Sequence, residues 1–296
     1  MSKPDEPRAA PTAIVAFAAL VVLIGSNLVA IRIGNRELAP LWHAGFRFLI
    51  AAILFVAIAL LRRAPRPSAP AAGGAALYGL LSIAAFFGFV YGGLESAPVG
   101  VATATLALGP LVTLALAVVV GLERLRPAAV LGGLIAFGGI VVMYASAVTG
   151  NVPFTALAML VAAAFSFAAG GIVVKRTPPI DPVVQNAIAS IVGAAVLVGL
   201  SIVLGETQAI PQRTETWLAF AYLVLPGTVL TFGILLYLLH RWPASRVAYQ
   251  FVLAPIVAIG LAAVLLQEPI EPAVAAGTVL VIAGVWIGAL RSTART

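Results

Sequence analysis

Long apolar runs, each about the length of a membrane crossing and broken by short clusters of charge, proline and glycine, dominate the chain. A bilayer-spanning helix needs about 20 mostly apolar residues. Runs of that kind lie at 13–33, 40–61, 73–93, 98–120, 127–147, 153–174, 182–204, 217–239, 244–266 and 271–290. The breaks carry the expected punctuation, such as Arg62-Arg63-Ala64-Pro65-Arg66, Lys175-Arg176-Thr177-Pro178-Pro179 and Gln267-Glu268-Pro269. The connections are short, so no soluble domain fits between them. The pattern predicts an all-α integral membrane protein of ten transmembrane helices. The first run exceeds the 7–15 residues of a signal-peptide core and is read as a retained helix.

The second half repeats the first. Shifting the chain by 145 residues lays Pro98 on Pro243, Pro110 on Pro255, Glu123 on Glu268 and Pro127 on Pro272. Gly132 then falls on Gly277, and Gly139 on Gly284. Such residues punctuate helices, so their coincidence carries more weight than aligned leucines. Each half, residues 1–150 and 151–296, holds five predicted helices. Five is odd, so the halves are expected to have inverted topology, an arrangement characteristic of secondary transporters.

Composition agrees and excludes much else. The 296 residues are 62% hydrophobic and 9% charged, where an ordinary soluble domain is about 45–50% apolar and about 25% charged. With no cysteine and two distant histidines, His43 and His240, no metal site or cofactor is expected. The formal charge of +7 comes without the basic, aromatic-interleaved patch that nucleic acid would require. Instead the basic residues set orientation. With the N-terminus inside, inner segments hold Lys3, Arg8, Arg62, Arg63, Arg66, Arg124, Arg126, Lys175, Arg176, Arg241, Arg246, Arg291 and Arg295. Outer segments hold Arg32, Arg36 and Arg213, which is 13 against 3. Both termini are therefore expected on the cytoplasmic side.

Several phrases resemble a known family. Leu94-Glu95-Ser96-Ala97-Pro98, Leu108-Gly109-Pro110-Leu111, Leu122-Glu123-Arg124-Leu125 and Gly132 through Met143 are similar to the EamA repeat of the drug/metabolite transporter superfamily. The second copy looks like it at Ala254-Pro255, Leu266-Gln267-Glu268 and Gly277 through Gly284. It departs from the first in having no arginine to match Arg47 and in carrying Ala254 where glycine is expected. Among ten-helix members the chain resembles the YddG-type exporters of amino acids, aromatic ones especially. The resemblance implies a carrier in the bacterial inner membrane that exports small metabolites by alternating access, with the lipid bilayer and the solute as its partners.

Candidate site residues follow from polarity within the spans. Arg47 is the clear intramembrane charge. It is either a carboxylate-binding or gating residue, or a structural one in an ion pair or snorkelling outward. Pro110 and Pro255 sit mid-helix and would each free a carbonyl four residues back, which makes them candidate hinges. Tyr78, Ser82 and Phe86 share a helical face by their spacing of four. Asn27, Thr103, Ser166, Thr231, Tyr249 and Gln250 are polar at midplane depth, the composition a solute cavity needs. All ten acidic residues lie in loops or at span ends, which points to a facilitator rather than a proton-driven pump. Gly88-x-x-x-Gly92 and Gly284-x-x-x-Gly288 suit close helix packing, expected within one chain of a monomer rather than across a dimer. The alternative functions are a passive channel or a lipid- or drug-handling membrane protein. An intramembrane enzyme is disfavoured because no nucleophile–base pair or HExxH motif is present, and no GxxxxGK[ST] loop marks an ATP-driven pump.

Overall fold

The computed structural model describes residues 11–121, 127–149, 152–239, 241 and 250–287. The regular structure among them is helical. Seven helical stretches are long and apolar enough to cross a membrane, and shorter apolar helices lie over 130–139, 253–265 and 272–284. We label the helices α1 (Pro11–Gly34), α2 (Pro40–Leu61), α3 (Ala69–Ser96), α4 (Val99–Val119) and α5 (Pro127–Thr149). In the second half α6 is Phe154–Arg176 and α7 is Pro182–Val203. Helix α8 runs through Thr214–Val224, Leu225–Leu230 and Thr231–Leu239, followed by α9 (Gln250–Leu265) and α10 (Pro272–Val285). Large apolar side chains such as Leu60, Val119, Phe137, Val203, Val264 and Val279 point outward, as lipid contact requires and water would penalise.

Local chemistry sets the helix ends. Prolines occupy the first turns of α2, α3, α7 and α10, where their missing N–H has no intrahelical partner to lose. Asp181 caps α7 by accepting from the N–H groups of Val183 (2.9 Å) and Val184 (3.2 Å), and Ser68 caps α3 through Ala71. Four residues just past helix ends take positive φ: Arg63 (50°), Gly121 (76°), Gly205 (72°) and Gln267 (56°). Left-handed C-terminal turns of this kind normally call for glycine. Here Arg63 corresponds to Gly205 and Gln267 to Gly121, so the two halves end equivalent helices in the same conformation with different residues.

Packing follows the same duplication. Gly45 of α2 lies against Leu197 and Val198 near the end of α7, while Trp42 Nε1 donates to Ala209 O beyond that end. These contacts make α2 and α7 antiparallel. Helices α5 and α10 cross in the same sense. A Cβ on Gly139 would come 2.7 Å from Gly277 O, and one on Gly284 would come 2.5 Å from both Ala136 N and Gly132 O. Gly284 thus packs within one chain, as expected; Gly288 lies outside the described residues. Helix α1 packs on α8 and α9, and α6 packs correspondingly on α3 and α4.

The strongest sign of duplication had no signature in the hydrophobic pattern. Helix α3 contains a π-helical turn at Gly79–Ala85 and α8 contains one at Leu225–Leu230, the same place in each half. Bulges of this kind recur at functional sites. Gly79 lets the first turn meet α7, because a Cβ there would lie 2.5 Å from Ala189 O.

Candidate functional site

Both π-helical turns abut one internal cavity. Its walls come from α1, α3, α4, α6, α8 and α9, and its volume is about 70 Å³. The lining of the cavity is mostly apolar, from side chains such as Leu28, Phe86, Phe87, Phe167, Phe232 and Leu235. Phe86 lies 4.8 Å from Phe87 and 5.3 Å from Phe167 between ring centres, so aromatic faces form a continuous wall. Polar atoms are few. They are contributed by Asn27, Ser82, Thr103, Thr231 and Gln250.

The hydrogen bonds give this polar set a bias. Asn27 Nδ2 donates to Gly227 O (2.9 Å). Thr103 Oγ1 donates to Val99 O (2.9 Å), and Thr231 Oγ1 donates to Pro226 O (2.8 Å). The threonine protons are therefore spent on their own helices, a local bond open to such side chains. Asn27 Oδ1, Ser82 Oγ and Gln250 Oε1 are buried and have no partner. Leaving a buried polar atom unpaired costs about 1–3 kcal/mol each, so three around one space make it a place for a hydrogen-bond donor to bind. No charged side chain lines the cavity.

Close approach of helices frames the site twice. A Cβ on Gly227 would sit 2.2 Å from Asn27 Oδ1, and one on Gly170 would sit 1.9 Å from Ser82 Oγ. Gly227 is the shifted counterpart of Ser82. The α1–α8 contact and the α3–α6 contact thus use the same device, a small residue accepting a polar one, with the partners exchanged.

Six of the candidate residues, Asn27, Ser82, Phe86, Thr103, Thr231 and Gln250, meet at the cavity. Tyr78 does not line it, although it is buried beside Ser82, one turn along α3. Ser166 is half-buried and donates to Ala162 O of its own helix (2.8 Å). Tyr249 lies outside the described residues. Pro110 is not mid-helix: α4 breaks at Ala107–Leu108 and Pro110 opens its second segment, where its lack of an N–H costs nothing. Pro255 does lie inside a helix.

Arg47 departs from both structural expectations, for it neither snorkels nor pairs with an acid. It is fully buried. Nε donates to Thr228 Oγ1 (2.8 Å), Nη1 to Tyr91 Oη (3.1 Å) and Nη2 to Gly227 O (2.9 Å). Its guanidinium carbon stands 5.1 Å from the Phe48 ring centre and 5.0 Å from that of Phe87. The residue thereby pins the second π-helical turn to α2 and α3. One turn away, His43 is fully buried against Tyr91, and its Nδ1 lies 3.0 Å from Asn35 Oδ1.

At one end of the molecule, carboxylates tie the halves together. Glu206 accepts from the N–H groups of Leu41 (3.2 Å) and Trp42 (2.8 Å), and Glu268 accepts from Val99 N (3.0 Å). Both are acids at helix N-termini, which the helix dipole favours. Glu268 also meets Arg32 (3.7 Å) beside a recess of about 200 Å³. Arg32 is also bonded to Leu94 O and Glu95 O, and Glu271 lines the same recess. Glu37 accepts from Gln212 N and Arg213 N. Its carboxyl is held below the usual carboxylate range, first by the Thr216 hydroxyl and then by the Gln212 N–H. A depressed carboxyl stabilises the folded form above its unfolded pKa and loses that contribution as pH falls through the folded value. Acidification through and below the usual carboxylate range is therefore expected to weaken this clamp. Thermal melts of Glu37→Gln should show a shallower acid slope than native protein, and equal slopes would refute it.

Similarity to known proteins completes the picture. The pattern of the EamA-like transporter family matches residues 11–145 and again 154–289. A "Probable amino-acid metabolite efflux pump" of Salmonella typhimurium is 32% identical, over 94% of this chain and 97% of its own. The protein of the same description in Escherichia coli K12 is 30% identical over 90% and 91%. "Uncharacterized inner membrane transporter YedA" of Escherichia coli K12 is 32% identical over 82% and 79%. A crystal structure at 20% identity superposes with a TM-score of 0.70 over 97% of this chain and 100% of its own, a likeness of fold. With two family repeats and a cavity between them, this multi-pass membrane chain belongs to the EamA-like transporter family and is a transporter, not an enzyme.

Proposed function

We propose that the chain is a secondary exporter of small metabolites, chiefly amino acids including aromatic ones, working by alternating access around the central cavity. The observation that carries this reading is the cavity itself, where three unpaired buried oxygens stand among aromatic walls contributed by both halves. Acceptors of that kind suit an ammonium group, and the phenylalanine wall suits an apolar side chain. The relatives described as amino-acid metabolite efflux pumps support the same solute class.

The architecture proposed is ten membrane helices in two inverted five-helix halves, residues 1–150 and 151–296. The antiparallel α2–α7 and α5–α10 pairs support inversion, since equivalent helices of inverted halves must run oppositely. Both termini are assigned to the cytoplasmic side of a bacterial inner membrane, on the distribution of Lys and Arg, and the working unit is a monomer. The break before Pro110 and the proline within α9 are proposed as flexible points. Replacing both Pro110 and Pro255 with alanine is expected to slow flux several-fold without loss of folded protein; unchanged flux would refute the hinge role. In the described residues the acids stay outside the cavity, so the carrier is read as a facilitator.

Reconstituted vesicles test the function. Labelled phenylalanine should show saturable counterflow that unlabelled amino acids compete. Asn27→Ala and Gln250→Ala should each raise KM about tenfold or more, since a hydrogen bond to a charged group contributes about 1.5–3 kcal/mol. Conductance or lipid scrambling without competable flux would favour a channel or scaffold instead.

A further inference from the structure

Arg47 is the charged side chain that the described residues bury completely, and its surroundings give it no counterion. The acceptors around it are a hydroxyl, a phenol and a backbone carbonyl. The ion pairs among the described residues lie elsewhere, between Arg32 and Glu268 and between Arg213 and Glu215. A guanidinium has five N–H groups, and three of these are satisfied. A buried cation is costly unless paired, so a charge kept in this state invites a role beyond packing.

Its position supplies one. Gly227 O accepts from Arg47 Nη2 and from Asn27 Nδ2, each at 2.9 Å, and Gly227 lines the cavity together with Asn27. Phe87, which the guanidinium faces at 5.0 Å, lines it too. The charge therefore stands one residue behind the wall, in surroundings that screen it poorly. We infer that Arg47 sets the sign of charge the cavity admits: it favours solutes that carry a carboxylate and disfavours organic cations. The unpaired oxygens of Asn27, Ser82 and Gln250 receive an ammonium, and Arg47 provides the field that holds the accompanying carboxylate. A zwitterion satisfies both; an amine alone meets an unbalanced positive charge.

This assignment rests on the amino-acid reading, and the test separates the two. Counterflow of labelled phenylalanine is measured in proteoliposomes against unlabelled phenylalanine, 3-phenylpropionate and 2-phenylethylamine. The last two keep the ring and differ in the sign of the charge. The unpaired oxygens favour the amine and Arg47 the acid, so the native ratio of amine to acid at half-inhibition is the reference. Arg47→Gln should shift that ratio about tenfold toward the amine, the scale of one unit charge felt through several ångströms of protein, while Arg47→Lys should keep most of the native ratio. A merely structural arginine would lower flux without changing the ratio. Should Arg47→Gln carry no flux, Arg47→Lys decides, because it keeps the charge and loses the forked bonds: a retained preference supports the assignment and a lost one overturns it. An unshifted ratio in an Arg47→Gln protein that still carries flux overturns the assignment alone. Absence of any phenylalanine counterflow overturns the amino-acid reading and this assignment with it.

Discussion

Gly227→Val is expected to abolish transport, with at least a hundredfold loss of initial flux, while folded protein persists. The new Cβ would lie 2.2 Å from Asn27 Oδ1 and 3.1 Å from Tyr222 O. Its near neighbour is the end of a side chain, which can swing away. The swing breaks the Asn27–Gly227 bond and drives the amide and two methyl groups into a cavity of about 70 Å³. The site is then filled by the protein itself. Purified variant should elute from size exclusion as native protein does, with its melting temperature lowered by only a few degrees. Flux within tenfold of native would mean that solute does not pass beside Gly227.

Gly284→Val is expected to do the opposite, destroying the fold before the site. There the added Cβ meets backbone, 2.5 Å from both Ala136 N and Gly132 O, and a helix backbone cannot step aside locally. Helix α10 must move off α5 along the seam where Gly139 meets Gly277. Overpacking of a close contact costs about 1–3 kcal/mol, occasionally more, and a backbone clash at a glycine seam belongs at or above the upper end. The outcome to look for is a melting temperature in detergent lowered by about ten degrees, or loss of monodisperse protein. A variant as stable as native would show that the two helices do not cross this closely.

The same two glycines show what could be read from the residues alone. Gly284 was legible: it sits on the 145-residue shift and in a small-xxx-small spacing. Gly227 was not singled out, although it is the shifted counterpart of Ser82, a signal that would have found it. Helical stretches and their breaks were readable because apolar runs of membrane length admit few alternatives. Residues at polar midplane positions, such as Asn27, Thr103 and Gln250, were readable because burying them in lipid contact is costly. Phe87 falls outside the spacing of four that joins Ser82 to Phe86, and the π-helical turns beside it leave no mark on a hydrophobic pattern. The burial of Arg47 among neutral partners was equally hidden, since those partners, Tyr91 and Thr228, are remote in sequence and uncharged.

In the proposed mechanism solute passes through the cavity between the halves, open in turn to each side of the membrane. The native chain contains no cysteine, so Ser82→Cys places a single thiol at the cavity wall with little change in volume. Its modification by a membrane-impermeant maleimide, applied separately to right-side-out and inside-out vesicles, tests the claim directly. Labelling is expected from both sides, slowed from both sides by saturating phenylalanine. Labelling from one side only, or labelling that phenylalanine leaves unchanged, would contradict it.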